Sequence, residues 1–149
     1  MLMLGDVLYK NIAKGVRNGL LVSQLPSEVN IGNRKFKIEV DVDTLVFGKI
    51  GDNTSNECVT KLEDAMTNLL VRNGDQQGLL LIGSSWFAVM KRGDLFLLGN
   101  SHSTDANGYS TSDGVGRIFV AEEVGKISML LRRTASFKGV FSLHECIVY

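Results

Sequence analysis

Three apolar runs, residues 79–82, 86–90 and 95–98, follow one another with only Gly-Ser-Ser and Arg-Gly-Asp turns to separate them. Runs that short are strands, and connections that short join antiparallel neighbours, because a parallel crossover needs a dozen or more residues. The centre of the chain is therefore an antiparallel sheet. Arg92-Gly93-Asp94 reads as a hairpin turn, since no secretion signal would carry an integrin ligand outside a cell. Further strands flank this centre. Phe36, Ile38 and Val40 alternate with Lys37, Glu39 and Asp41, the period-2 signature of a half-buried strand, and residues 45–47 continue as another. Residues 117–121 read as a strand, and Phe141, Leu143, Ile147 and Tyr149 alternate as a terminal one.

Helical spacing occurs in three places. Val7, Leu8, Ile12 and Val16 follow a candidate N-cap, Asp6, which predicts a short helix over residues 5–16. Thr54-Ser55-Asn56-Glu57 matches a capping box ahead of an apolar stripe of Val59, Leu62, Ala65, Met66, Leu69 and Leu70, with Asn73-Gly74 as the stop. Val124, Ile127, Leu130 and Leu131 predict the third. The fold class expected is α+β, one domain over residues 1–149, built on a mostly antiparallel sheet with packed helices. A chain of 149 residues buries roughly 70% of its unfolded surface. No internal repeat or linker interrupts it.

Sixteen basic residues balance sixteen acidic ones, so no net field recruits nucleic acid by counterion release. No run reaches the ~18 apolar residues of a membrane span. Met1-Leu2-Met3-Leu4 lacks the basic flank and length of a signal peptide, so a cytoplasmic or nuclear setting is expected. Two cysteines and two histidines leave little for a zinc site, and Gly114-Val115-Gly116 is only a fragment of a phosphate loop. Neither metal nor cofactor is expected.

Candidate chemistry centres on His102. It lies just past an apolar strand, two residues after Asn100, at the mouth of a polar stretch over residues 100–116. In cysteine hydrolases a neutral imidazole takes the thiol proton, and a carboxylate or amide fixes its tautomer. Asn100 is of the right type for that third group. The competing reading is a loop histidine bonded to its Ser, Asp and Asn neighbours. For the nucleophile, Cys58 falls in the expected first turn of the capping-box helix, where the macrodipole would lower a thiol pKa, although its apolar neighbours also suit a small buried side chain. Cys146 shares a strand face with His144, an adjacency that rarely gives attack geometry and reads as surface decoration.

In order along the chain, Gly5-Asp6-Val7-Leu8-Tyr9, Leu25-Pro26, Leu62-Glu63-Asp64-Ala65, Gly99-Asn100-Ser101-His102-Ser103, Asn107-Gly108 and Asp113-Gly114 resemble the papain-like deubiquitinase domain of herpesvirus large tegument proteins and their transposon and bacterial relatives. The resemblance covers nearly the whole chain. It implies a papain-like cysteine-protease-type fold, places His102 at the general-base position, and puts Asn100 where the family carries aspartate. The family's nucleophilic Cys lies on a helix ahead of the Gly-Asp-x-Leu-Tyr-like segment, and the sequence starts at about that segment. Neither Cys58 nor Cys146 matches that position. The expectation is a viral or transposon-derived domain without its Cys-bearing helix. Loss of a triad nucleophile costs on the order of 10⁶ in rate, so it would be an inactive thiol-protease homologue that binds ubiquitin or a ubiquitin-like protein. Two alternatives stand beside it. One is a hydrolase using Cys58 or a nucleophile from another segment, and the other is a structural module that binds another protein or itself.

Overall fold

The computed structural model describes residues 23, 25–41, 46–50, 60–71, 77–83, 85–135 and 139–149. Among them nine strands and two helices follow in the order β1 (Glu28–Ile31), β2 (Arg34–Val40), β3 (Val46–Lys49), β4 (Thr60–Lys61), α1 (Leu62–Leu70), β5 (Gln77–Ile82), β6 (Ser85–Arg92), β7 (Leu95–Thr104), β8 (Val115–Ala121), α2 (Val124–Ala135) and β9 (Val140–Val148). The helix expected over residues 5–16 lies outside the described residues.

The strands form one sheet in the order β1-β2-β9-β5-β6-β7-β8, antiparallel at every step. The three apolar runs are β5, β6 and the first half of β7, joined as hairpins, as their short turns require. β9 is inserted between β5 and the earlier strands. It takes β3 along Val140 to Leu143 and β2 along Cys146 to Val148. β4 adds the one parallel pairing described, to β3.

Register assigns the faces. Leu143, Leu80, Phe87 and Asn100 stand in one cross-strand row and so project to the same side. Both helices cover that side. Leu62, Ala65, Met66 and Leu70 of α1 and Ile127 and Leu131 of α2 meet Leu80, Ile82, Phe87, Val89, Leu98, Phe141 and Leu143 in one core. Met66, Leu80, Leu98 and Leu131 are wholly buried there. No helix among the described residues is long and apolar enough to cross a membrane.

Three expectations need correction. The capping box at Thr54 does not open the helix: α1 begins at Leu62, after the extended Thr60 and Lys61, and its N-cap Lys61 makes no side-chain cap bond. The physical reason is the sheet. Thr60 and Lys61 pair with Gly48 and Lys49, and the first turn is stabilised instead by Glu63 and Asp64, whose charges complement the helix dipole. Second, the polar stretch over residues 100–116 is not all loop, because β7 runs on to Thr104 and β8 begins at Val115. Third, His144 and Cys146 are buried rather than surface decoration, since β9 is flanked by strands on both sides and is covered on both faces along Phe141 to His144.

Candidate functional site

His102 sits within β7, at a break in its pairing with β8. Asn100 pairs with Arg117 and Thr104 with Val115, so Ser101, His102 and Ser103 stand opposite Gly116 alone. The surplus makes a β-bulge, a device that bends a strand and re-aims a side chain. The sheet closes again beyond it. Gly114 passes so close to Thr104 that a Cβ would lie 2.5 Å from the Thr104 carbonyl oxygen, which only glycine permits. Arg117 Nε also donates to that carbonyl at 3.1 Å.

Asn100 fixes the imidazole. Its Oδ1 accepts from the backbone N–H of His102 at 2.9 Å and lies 2.8 Å from His102 Nδ1. A backbone N–H can only donate, so the amide atom facing both groups is the oxygen, and the shared Nδ1 must carry its proton. Nε2 is left with its lone pair, the tautomer that a general base needs. The ring packs against Phe87 at a centroid distance of 5.5 Å. Partial burial pushes the His102 pKa down from its usual value, which keeps the imidazole neutral at pH 7. Asn100 Nδ2 and Ser103 Oγ are buried without a hydrogen-bond partner.

Of the two candidate thiols, the one among the described residues is not brought to His102. Cys58 lies outside the described residues, and the helix whose first turn it was expected to occupy starts only at Leu62. Cys146 is on β9, three strands from β7, and lies beyond Leu143 in the direction opposite to the step from Asn100 to His102. With ~4.8 Å between strands and ~3.3 Å per residue, the separation is about 20 Å. Cys146 also projects to the other face of the sheet, and burial raises its thiol pKa, so it is neither in reach nor ionised. Its face-mate His144 tilts against Trp86, with ring centroids 6.0 Å apart and Nδ1 buried without a partner. Among the described residues no cluster of His, Cys, Asp or Glu could hold a metal ion.

The loop over residues 105–114 is anchored rather than loose. Asp105 Oδ1 accepts from the backbone N–H groups of Asn107 and Tyr109, each at 2.9 Å. Gly108 takes φ +87°, a left-handed conformation that disfavours a side chain. Thr134 Oγ1 on α2 donates to the Gly108 carbonyl at 2.7 Å. Thr134 drew no notice from the sequence, where it is one polar residue near the end of an amphipathic helix. The bulge left no signal either beyond the polar Ser-His-Ser triplet.

Comparison with known proteins gives this geometry a setting. Among curated proteins none matches. A solved structure that is similar is the ubiquitin-specific protease encoded by the murine cytomegalovirus tegument protein M48, in complex with a ubiquitin-based suicide substrate. The TM-score is 0.67 at 13% identity, covering 99% of this chain and 62% of that one, so the likeness concerns the fold. Residues 1–147 match the family described as herpesvirus tegument protein, N-terminal conserved region. A match over that span shows that the chain belongs to this herpesvirus tegument family.

Proposed function

We propose that the chain is a deubiquitinase-like domain, papain-like in fold, that binds ubiquitin or a ubiquitin-like protein without hydrolysing it. The observation that carries this reading is the distance between base and thiol. His102 is oriented, neutral and carries a free Nε2, yet the only thiol among the described residues is about 20 Å away on the other face of the sheet. A thiol and its base must be within hydrogen-bond reach for attack. The similar M48 protease was solved with a ubiquitin-based substrate, which supports ubiquitin as the ligand to try first.

A second reading follows from the tautomer. An imidazole with Nδ1 anchored on an amide and Nε2 free is the base half of a cysteine hydrolase, and Cys58 or a thiol from another chain would complete it. Two measurements separate these readings. Incubation with ubiquitin bearing a C-terminal electrophile should yield no covalent adduct by mass spectrometry. Titration of unlabelled ubiquitin into ¹⁵N-labelled protein should shift His102 and the residues of the 105–114 loop. A flat titration to millimolar ubiquitin overturns ubiquitin binding, and an adduct abolished by Cys58→Ala overturns inactivity in favour of the second reading.

A further inference from the structure

A second surface, made of side chains other than His102 and Asn100, lies where the 105–114 loop meets α2. Tyr109, Ser110, Met129, Arg132 and Arg133 line an open groove of about 530 Å³. It is basic, with no acidic side chain in its lining. The loop's two carboxylates are engaged within the loop: Asp105 by backbone N–H groups and Asp113 by the hydroxyls of Thr111 and Ser112. Tyr109 and Met129 are both about half exposed, at 51% and 45%. The groove thus sets two cations beside a half-exposed aromatic and a thioether, with Arg133 Nη2 donating to the Met129 sulfur at 3.6 Å.

Its walls are held in place. Thr134 and Arg133 both donate to loop carbonyls, of Gly108 and Asn107, which fastens the loop wall to the helix wall. The Arg133 guanidinium also sits over the Tyr109 ring, 5.5 Å from its centroid. Arg132, one residue earlier, is exposed. A groove fixed before binding loses little entropy on closing around a ligand.

We propose that this groove docks an acidic peptide segment carrying an aliphatic side chain. Carboxylates would pair with Arg132 and with the edge of Arg133, bidentate where the geometry allows. The aliphatic group would rest on the exposed surface of Tyr109 or Met129, on either side of Arg133. Charge complementarity favours this partner over the other polyanion, nucleic acid. The chain has no net positive charge to recruit a phosphate backbone, and the guanidinium of Arg133 occupies one face of the aromatic ring on which a base would stack.

The test is fluorescence anisotropy with fluorescein-labelled Glu-Glu-Leu-Glu-Glu-Leu at low ionic strength. Saturable binding is expected, weakened about tenfold or more in Arg132→Glu and severalfold in Met129→Ser, and reduced by added salt. Arg34→Glu, in the distant β1–β2 hairpin, should bind as the parent does. Absence of saturation at millimolar peptide overturns the proposal. So does equal weakening by Arg34→Glu, which would mark bulk charge rather than a site. Tighter competition by a single-stranded thymidine oligonucleotide would assign the groove to nucleic acid instead. None of these outcomes depends on whether ubiquitin binds.

Discussion

Asn100 Oδ1 receives two donors while its Nδ2 receives no acceptor, and this asymmetry defines the chemistry available to His102. An amide orients the imidazole but adds no charge to stabilise imidazolium. A carboxylate in the same place would do both, because a close opposite charge favours the protonated ring. In Asn100→Asp the His102 pKa should therefore rise, by about one unit or more, as read from the NMR titration of its ring carbons. An unchanged or lower value would mean that the ring does not rest on residue 100. The position of His102 beside an apolar strand and the Asn-x-His spacing were legible in the sequence. That Asn100 orients the ring was expected from its residue type, whereas the bulge through which two strand neighbours come to touch left no mark in the sequence.

At the scale of elements, every strand expected from alternation or from an apolar run is present, because cross-strand burial reinforces the same pattern that the sequence displays. The boundaries moved where tertiary pairing outweighed local preference. Thr60 and Lys61 were drawn into a rung with Gly48 and Lys49, and β7 runs on to Thr104 because its pairing with β8 resumes there, at Val115, beyond the bulge. The loop between β7 and β8 is held to α2 by a contact across 26 residues of sequence, which no local motif announces. Thr134→Val removes that donor at nearly constant volume. It should cost about 1 kcal/mol of unfolding free energy and speed amide exchange in residues 105–110. Faster exchange without the stability loss would show that the bond orders the loop alone. No change in either would show that it does neither.

Across the whole molecule, the two histidines act in the same direction. Burial lowers the pKa of both His102 and His144, so each is harder to protonate folded than unfolded. The unfolded chain then binds more protons, and stability increases with pH through that window. Both contributions are complete above the unfolded value of about 6.5 and are lost as pH falls through the folded values. Urea unfolding should accordingly show lower stability at about pH 5.5 than at about pH 7.5. The decline should shrink in His144→Phe, which keeps a ring beside Trp86. A decline undiminished in that variant would assign the acid sensitivity to other groups.

The place of β9 bears on how the chain reaches this state. The hairpins β5 through β7 contact their neighbours across short turns and can assemble early. β9 must instead find β2, β3 and β5, all far upstream, before the sheet is continuous. Loop closure over such distances is slow, so the rate-limiting ensemble should be one in which the meander exists and the central strand is still searching. In that interval the open side of β5, with Leu79, Leu80 and Leu81, is an unpaired edge. A seam that is buried in the finished sheet is thus an adhesive surface during assembly.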